Sequence, residues 1–134
     1  MTFKPKVGII ACSGEDCPGG VVSRQAALQV LHKLRPNETV TICLPLFLAG
    51  NEDEREFARV FPTITIDGCS KMCAAIATAK YSSEPAVKLN VEDHMKDPCS
   101  SRSDADATNQ TEEIVTRIAE ETASAVDRLR QGKR

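Results

Sequence analysis

With 134 residues and a mass of 14.5 kDa, the chain has room for one ordinary hydrophobic core, and a single domain over 1–134 is expected. Hydrophobic residues make up 41% of the chain, charged residues 27% and aromatics only 4%, with no Trp, so the core must be built from Val, Ile, Leu and Ala. Seventeen Lys and Arg against nineteen Asp and Glu leave a net charge of -2, which argues against a nucleic-acid or anionic-lipid partner, and no apolar run approaches the roughly 20 residues of a membrane helix.

Met1–Lys6 has the look of a short basic leader, and Ile9-Ile10-Ala11-Cys12 resembles a lipoprotein cleavage site. The apolar stretch before Cys12 is too short for a signal segment and contains Gly8. A buried first strand over Lys6–Ala11, in a cytoplasmic protein, is the expectation. Cys12–Gly20 is a glycine-rich loop. Val21–Leu34 then shows helical spacing at Val22, Ala26, Val30 and Leu34, stopped by Pro36-Asn37. Thr39–Leu46 alternates like a second strand. Asn51-Glu52-Asp53-Glu54 resembles a capping box opening a short helix, with Phe57 and Val60 on its inner face and Pro62 ending it. Thr63–Ile66 reads as a third strand closed by Asp67-Gly68, Ser70–Lys80 as an Ala-rich helix and Ala86–Val91 as a fourth, edge strand. Residues 93–109 are so polar that a mobile surface loop is expected. A terminal amphipathic helix over about 111–130 carries Ile114, Ile118, Ala125 and Leu129 on one stripe. The alternation of strand and helix predicts an α/β three-layer sandwich around a four-stranded, mainly parallel sheet in the flavodoxin-like order 2-1-3-4.

Six cysteines stand out in a chain without a visible secretion signal, so reduced thiols with metal or redox chemistry are expected. On the predicted sheet, Cys12 ends the first strand, Cys43 lies near the end of the second and Cys69 ends the third. Cys69 also opens a helix, and Cys73 follows one turn later on the same helix face. In the order 2-1-3 these strands are neighbours, so four thiols are expected to converge on one crest. Helix N-termini favour the thiolate, the form that binds metal. Four such ligands suit a tetrahedral zinc site, with Zn–S distances of about 2.3 Å, and the same set can hold an iron–sulfur cluster. Cys43 alone could equally be a small buried hydrophobe. Cys17 is an extra thiol beside Cys12. It leaves open a thiol redox enzyme, a disulfide, persulfide or metalloid reductase, with Cys12 or Cys69 as nucleophile and Cys17 or Cys73 resolving. Cys99 is expected to be a bystander in the polar loop. His32 is given no role, and His94 is expected to be a surface histidine near the crest, with metal ligation as its other reading. The absence of a Gly-x-Gly-x-x-Gly fingerprint argues against a nicotinamide or flavin cofactor.

Ala11-Cys12-Ser13-Gly14, Cys43-Leu44 and Ile66-Asp67-Gly68-Cys69 with Cys73 resemble the DGC-domain family, small prokaryotic proteins described as zinc-binding and named for the Asp-Gly-Cys motif. The likeness runs from about Val7 to Val91 and implies zinc chelation by Cys12, Cys43, Cys69 and Cys73. It supplies no reaction, and Cys17 departs from the pattern. The first loop is also similar to the phosphate loop of low-molecular-weight tyrosine phosphatases and arsenate reductases. Pro18 stands where that loop has its anion-clamping Arg, and Glu15 and Asp16 put negative charge where the dianion would sit. Both oppose phosphatase chemistry, and the likeness supports only the flavodoxin-like topology.

Overall fold

The structure, a computed structural model, describes residues 6–12, 14, 18–94 and 105–132, with the backbone alone over 105–111. Four strands, β1 (Val7–Ala11), β2 (Thr39–Thr41), β3 (Thr63–Asp67) and β4 (Val87–Asn90), form one sheet in the order β2-β1-β3-β4. All three pairings are parallel, with Ile9 opposite both Thr41 and Ile64, and Ile66 opposite Leu89. The 2-1-3-4 order expected from the alternation is the order found.

The helices are α1 (Pro18–Gln29), which runs into a π-helical turn over Val30–Leu34, then α2 (Leu44–Leu48), α3 (Glu52–Arg55), α4 (Phe57–Val60), α5 (Cys73–Tyr81) and α6 (Ala105–Arg130). Alternation along the strands sends Val7, Ile9, Ile64 and Ile66 to one face, where α1 and α6 cover them with Val22, Ala26, Val30, Ile118, Ala119 and Val126. Ile10 points to the other face and packs with Phe57 and Ala74. At about 1.5–3 kcal/mol for each fully buried aliphatic side chain, the face under α1 and α6 carries most of the stabilisation.

Several elements differ from expectation: α1 begins at Pro18, within the expected glycine-rich loop, the single helix expected after Asn51 is split into α3 and α4, and β4 spans only Val87–Asn90. β2 stops at Thr41, and Leu44–Leu46 of the expected strand is helical, forming the start of α2. Pro45 is the reason: it cannot donate to a ladder, and its fixed φ suits a first helical turn. The helix expected from Ser70 begins at Cys73, because Met72 lies in the left-handed region (φ 53°) and a right-handed helix does not extend back through it. Val60, expected inside with Phe57, is 62% exposed, while Phe57 is buried. The final helix begins at Ala105 rather than about 111, since polarity alone does not distinguish a loop from a solvated helical turn. Of the predicted loop 93–109, Asp93 closes a 3-10 turn over Val91–Asp93, and 95–104, with Cys99, lie outside the described residues. Asn51 caps the short helix as expected, its Oδ1 accepting the Glu54 N–H at 3.1 Å, but the reciprocal half of the box is not formed: the Asn51 N–H donates to the Leu46 carbonyl, and Glu54 Oε2 accepts the Cys43 N–H instead.

Candidate functional site

In a parallel sheet every strand ends at the same edge, and the turns leaving β1, β2 and β3 each carry a cysteine. Cys12 follows Ala11 directly, and its N–H continues the ladder to the Ile66 carbonyl at 3.0 Å. Cys43 comes two residues after β2, preceding α2, and its N–H donates to Glu54 Oε2 at 3.1 Å. Cys69 comes two residues after β3, and Cys73 is the first residue of α5. Cys12 and Cys69 are part-buried, whereas Cys43 and Cys73 are exposed.

The Asp-Gly-Cys segment explains how this edge is built. Asp67 is buried at the end of β3, and its two carboxylate oxygens accept the N–H groups of Ala74 (2.6 Å) and Ala75 (3.1 Å). It therefore caps α5 from a strand, while Met72, at the position before the helix, offers no side-chain cap. Burial raises the Asp67 carboxyl above its ordinary value, and the two N–H donors offset only part of that rise.

Gly68 is the point where three chain segments meet. A Cβ there would lie 2.4 Å from Gly20 N and 2.5 Å from the Gly19 carbonyl carbon, and a Cβ on Gly20 would lie 2.1 Å from Gly14 O. Only glycines let the β3 turn, the start of α1 and the β1 loop approach this closely. The approach sets the environment of Cys12: the Gly68 N–H donates to its Sγ at 3.1 Å, and Ser23 Oγ lies 3.5 Å from the same sulfur. Ser23 is fixed by donating to the Gly20 carbonyl at 2.6 Å. On the far side, Asn90 of β4 donates to the Cys69 carbonyl at 2.8 Å and to Met72 Sδ at 2.9 Å, which holds the turn between Cys69 and Cys73.

Against expectation, Cys69 does not open a helix, and Cys69 and Cys73 do not share a helix face. Cys73 occupies the helix start, and Cys69 sits in the turn before it. Among the described residues, no three or more Cys, His, Asp or Glu side chains come together as a ready-made metal site. Cys17 lies outside the described residues. His94 forms a 2.8 Å contact through Nε2 with Glu121 of α6, in keeping with a surface role, and His32 is exposed on the π turn. Gly19, Gly20, Ser23 and Asn90 were not legible as site residues, since each acts through a contact between segments distant in sequence. No described helix is long and apolar enough to cross a membrane.

The family model of the DGC domain matches residues 8–120. No curated protein and no solved structure gives a significant match. Because the match runs from β1 into α6 and includes Asp67-Gly68-Cys69, the chain belongs to the DGC domain family.

Proposed function

We propose that the protein binds zinc through Cys12, Cys43, Cys69 and Cys73, with Cys17 as a further candidate ligand, in a reducing cytoplasm. The observation that carries this reading is that the adjacent strands β2, β1 and β3 each place a cysteine within two residues of the carboxyl edge. Sulfur donors fit zinc, and four thiolates fill its tetrahedral preference. Three of the four, Cys43, Cys69 and Cys73, stand outside the strand ladders, so ligation and ordering of these turns are one coupled event. The metal supplies a structural clasp, a sensor or a cargo site. The protein's part is to hold Cys12 on Gly68 and to tie the Cys69–Cys73 turn through Asn90.

Elemental analysis of anaerobically purified protein, with its visible spectrum, tests the proposal. About one zinc per chain and no colour is the expected result. Cys69→Ser should lower bound zinc to well under one equivalent, and Cys99→Ser should leave it unchanged. Iron with inorganic sulfide in a brown solution would overturn zinc in favour of an iron–sulfur cluster.

The Gly68 N–H bond to Cys12 Sγ favours a second reading, a thiol redox enzyme in which Cys12 attacks and Cys17 or Cys73 resolves. Protein without metal whose Cys12 is alkylated before the other thiols would replace the zinc reading with this one.

A further inference from the structure

A cleft of about 550 Å³ lies beside β2, between α1 and α2. One stripe of α1 and its π turn, Arg24, Ala27, Leu28 and Leu31, forms one side, and Leu44 and Leu48 of α2 form the other. Leu28 and Leu48 are 40% and 49% exposed, so the cleft leaves large apolar surface in water. Arg24 is the one charged residue among the described lining residues, and no described carboxylate pairs with it. Apolar walls with a single cation that no described carboxylate pairs complement one class of molecule, an organic anion with an apolar body. The volume is that of small-molecule sites, which are mostly apolar with a few polar groups that fix orientation.

We propose that this cleft binds a small amphiphilic carboxylate, its apolar body between the leucines of α1 and α2 and its carboxylate on Arg24. The site adjoins the metal reading without depending on it: Cys12 and Cys43 line the cleft, while the leucines and Arg24 do not belong to the thiol set. A ligand seated there covers Cys43, which is otherwise exposed.

The test is titration of the protein with hexanoate and octanoate, followed by calorimetry and by the rate of iodoacetamide labelling at Cys43. Octanol and acetate serve as controls for the apolar body and the charge alone. One saturable site is expected, with affinity rising about fourfold per added methylene. Arg24→Gln should weaken octanoate about tenfold and leave octanol unchanged. Leu48→Gln should weaken both, and bound octanoate should slow Cys43 labelling. Both variants change exposed side chains, and circular dichroism checks that they fold. Absence of saturable binding, or octanoate affinity unchanged in both variants, would overturn the proposal. So would a protein dimer that Leu48→Gln dissociates and octanoate does not, since a second copy would then be the occupant. The titration is repeated on EDTA-treated protein with zinc measured on the same samples, so loss of metal and loss of anion binding are read separately.

Discussion

Each residue of the Asp-Gly-Cys motif has its own physical task. Asp67 supplies acceptors to two N–H groups at the start of α5, and nothing else in the described structure replaces it. Asp67→Ala should therefore cost about 2 kcal/mol, from a lost cap and buried donors left without partners, read as a lower urea midpoint. Gly68 is held by backbone rather than by flexible side chains, so an added methyl group has no room to move into. Gly68→Ala should destabilise by about 1–3 kcal/mol and also displace the N–H that meets Cys12. Iodoacetamide labelling of metal-free protein separates the two effects: Cys12 should change its rate in Gly68→Ala, while Cys43, on another turn, should not. An unchanged Cys12 rate would show that the Gly68 contact does not govern this sulfur. Among the described contacts, the motif's cysteine contributes its carbonyl, which accepts from Asn90 and from the Met72 N–H.

At the level of elements, the reading of the sequence succeeded where one periodicity persisted and failed where local backbone chemistry cut across it. Val22, Ala26 and Val30 are all fully buried as their spacing predicted, and so are Ile118 and Ala125. The alternation after Thr39 continued past the true end of β2 because Leu44 and Leu46 fit a strand pattern, and Pro45 carried the contrary signal. The start of α5 was hidden because it depends on Met72 adopting a left-handed conformation, which no residue type announces. The four-residue helix α4 is too short for periodicity to choose between Phe57 and Val60 as its inner residue. Paired substitutions check this account. Ile118→Ala, under α1 on the long α6, should cost about 2–5 kcal/mol of unfolding free energy. Val60→Ala, at an exposed position, should stay within about 0.5 kcal/mol of the parent. A comparable loss at Val60 would place it in a contact that the described residues do not show.

Over the whole molecule, strand order and the common edge of the cysteines were legible together, because a parallel sheet puts every strand's carboxyl end on one side. Whether the thiols draw together was not legible, since that depends on turns whose shape comes from contacts such as Gly68 with Gly20, and among the described residues no three of them meet. The opposite end of the sheet is closed by charge. Arg35, just after the π turn, makes a bidentate bond to Asp127 of α6, at 2.8 and 2.7 Å, across 92 residues of chain. Arg130 adds a 3.3 Å contact to Glu38, which also lies 3.6 Å from Arg35. The Arg35 guanidinium holds the Asp127 carboxyl below its ordinary value of 3.8, because hydrogen bonding and charge favour the ionised form more than partial burial opposes it. A carboxyl depressed on folding adds stability above its unfolded value, and that stability is lost as pH falls through the folded value. Asp127 is nearly half exposed, so solvent screening limits the pair to no more than about 1 kcal/mol. Asp127→Asn should therefore lie below the parent by up to that amount at pH 7, in urea unfolding at fixed ionic strength. The two stability curves should converge as pH falls below 3.8, because protonation deprives the parent of the same charge that the substitution removes. Curves that stay parallel to the acid limit would mean that Asp127 ties α6 to the start of β2 by shape and neutral hydrogen bonds, with its charge contributing nothing to the closure.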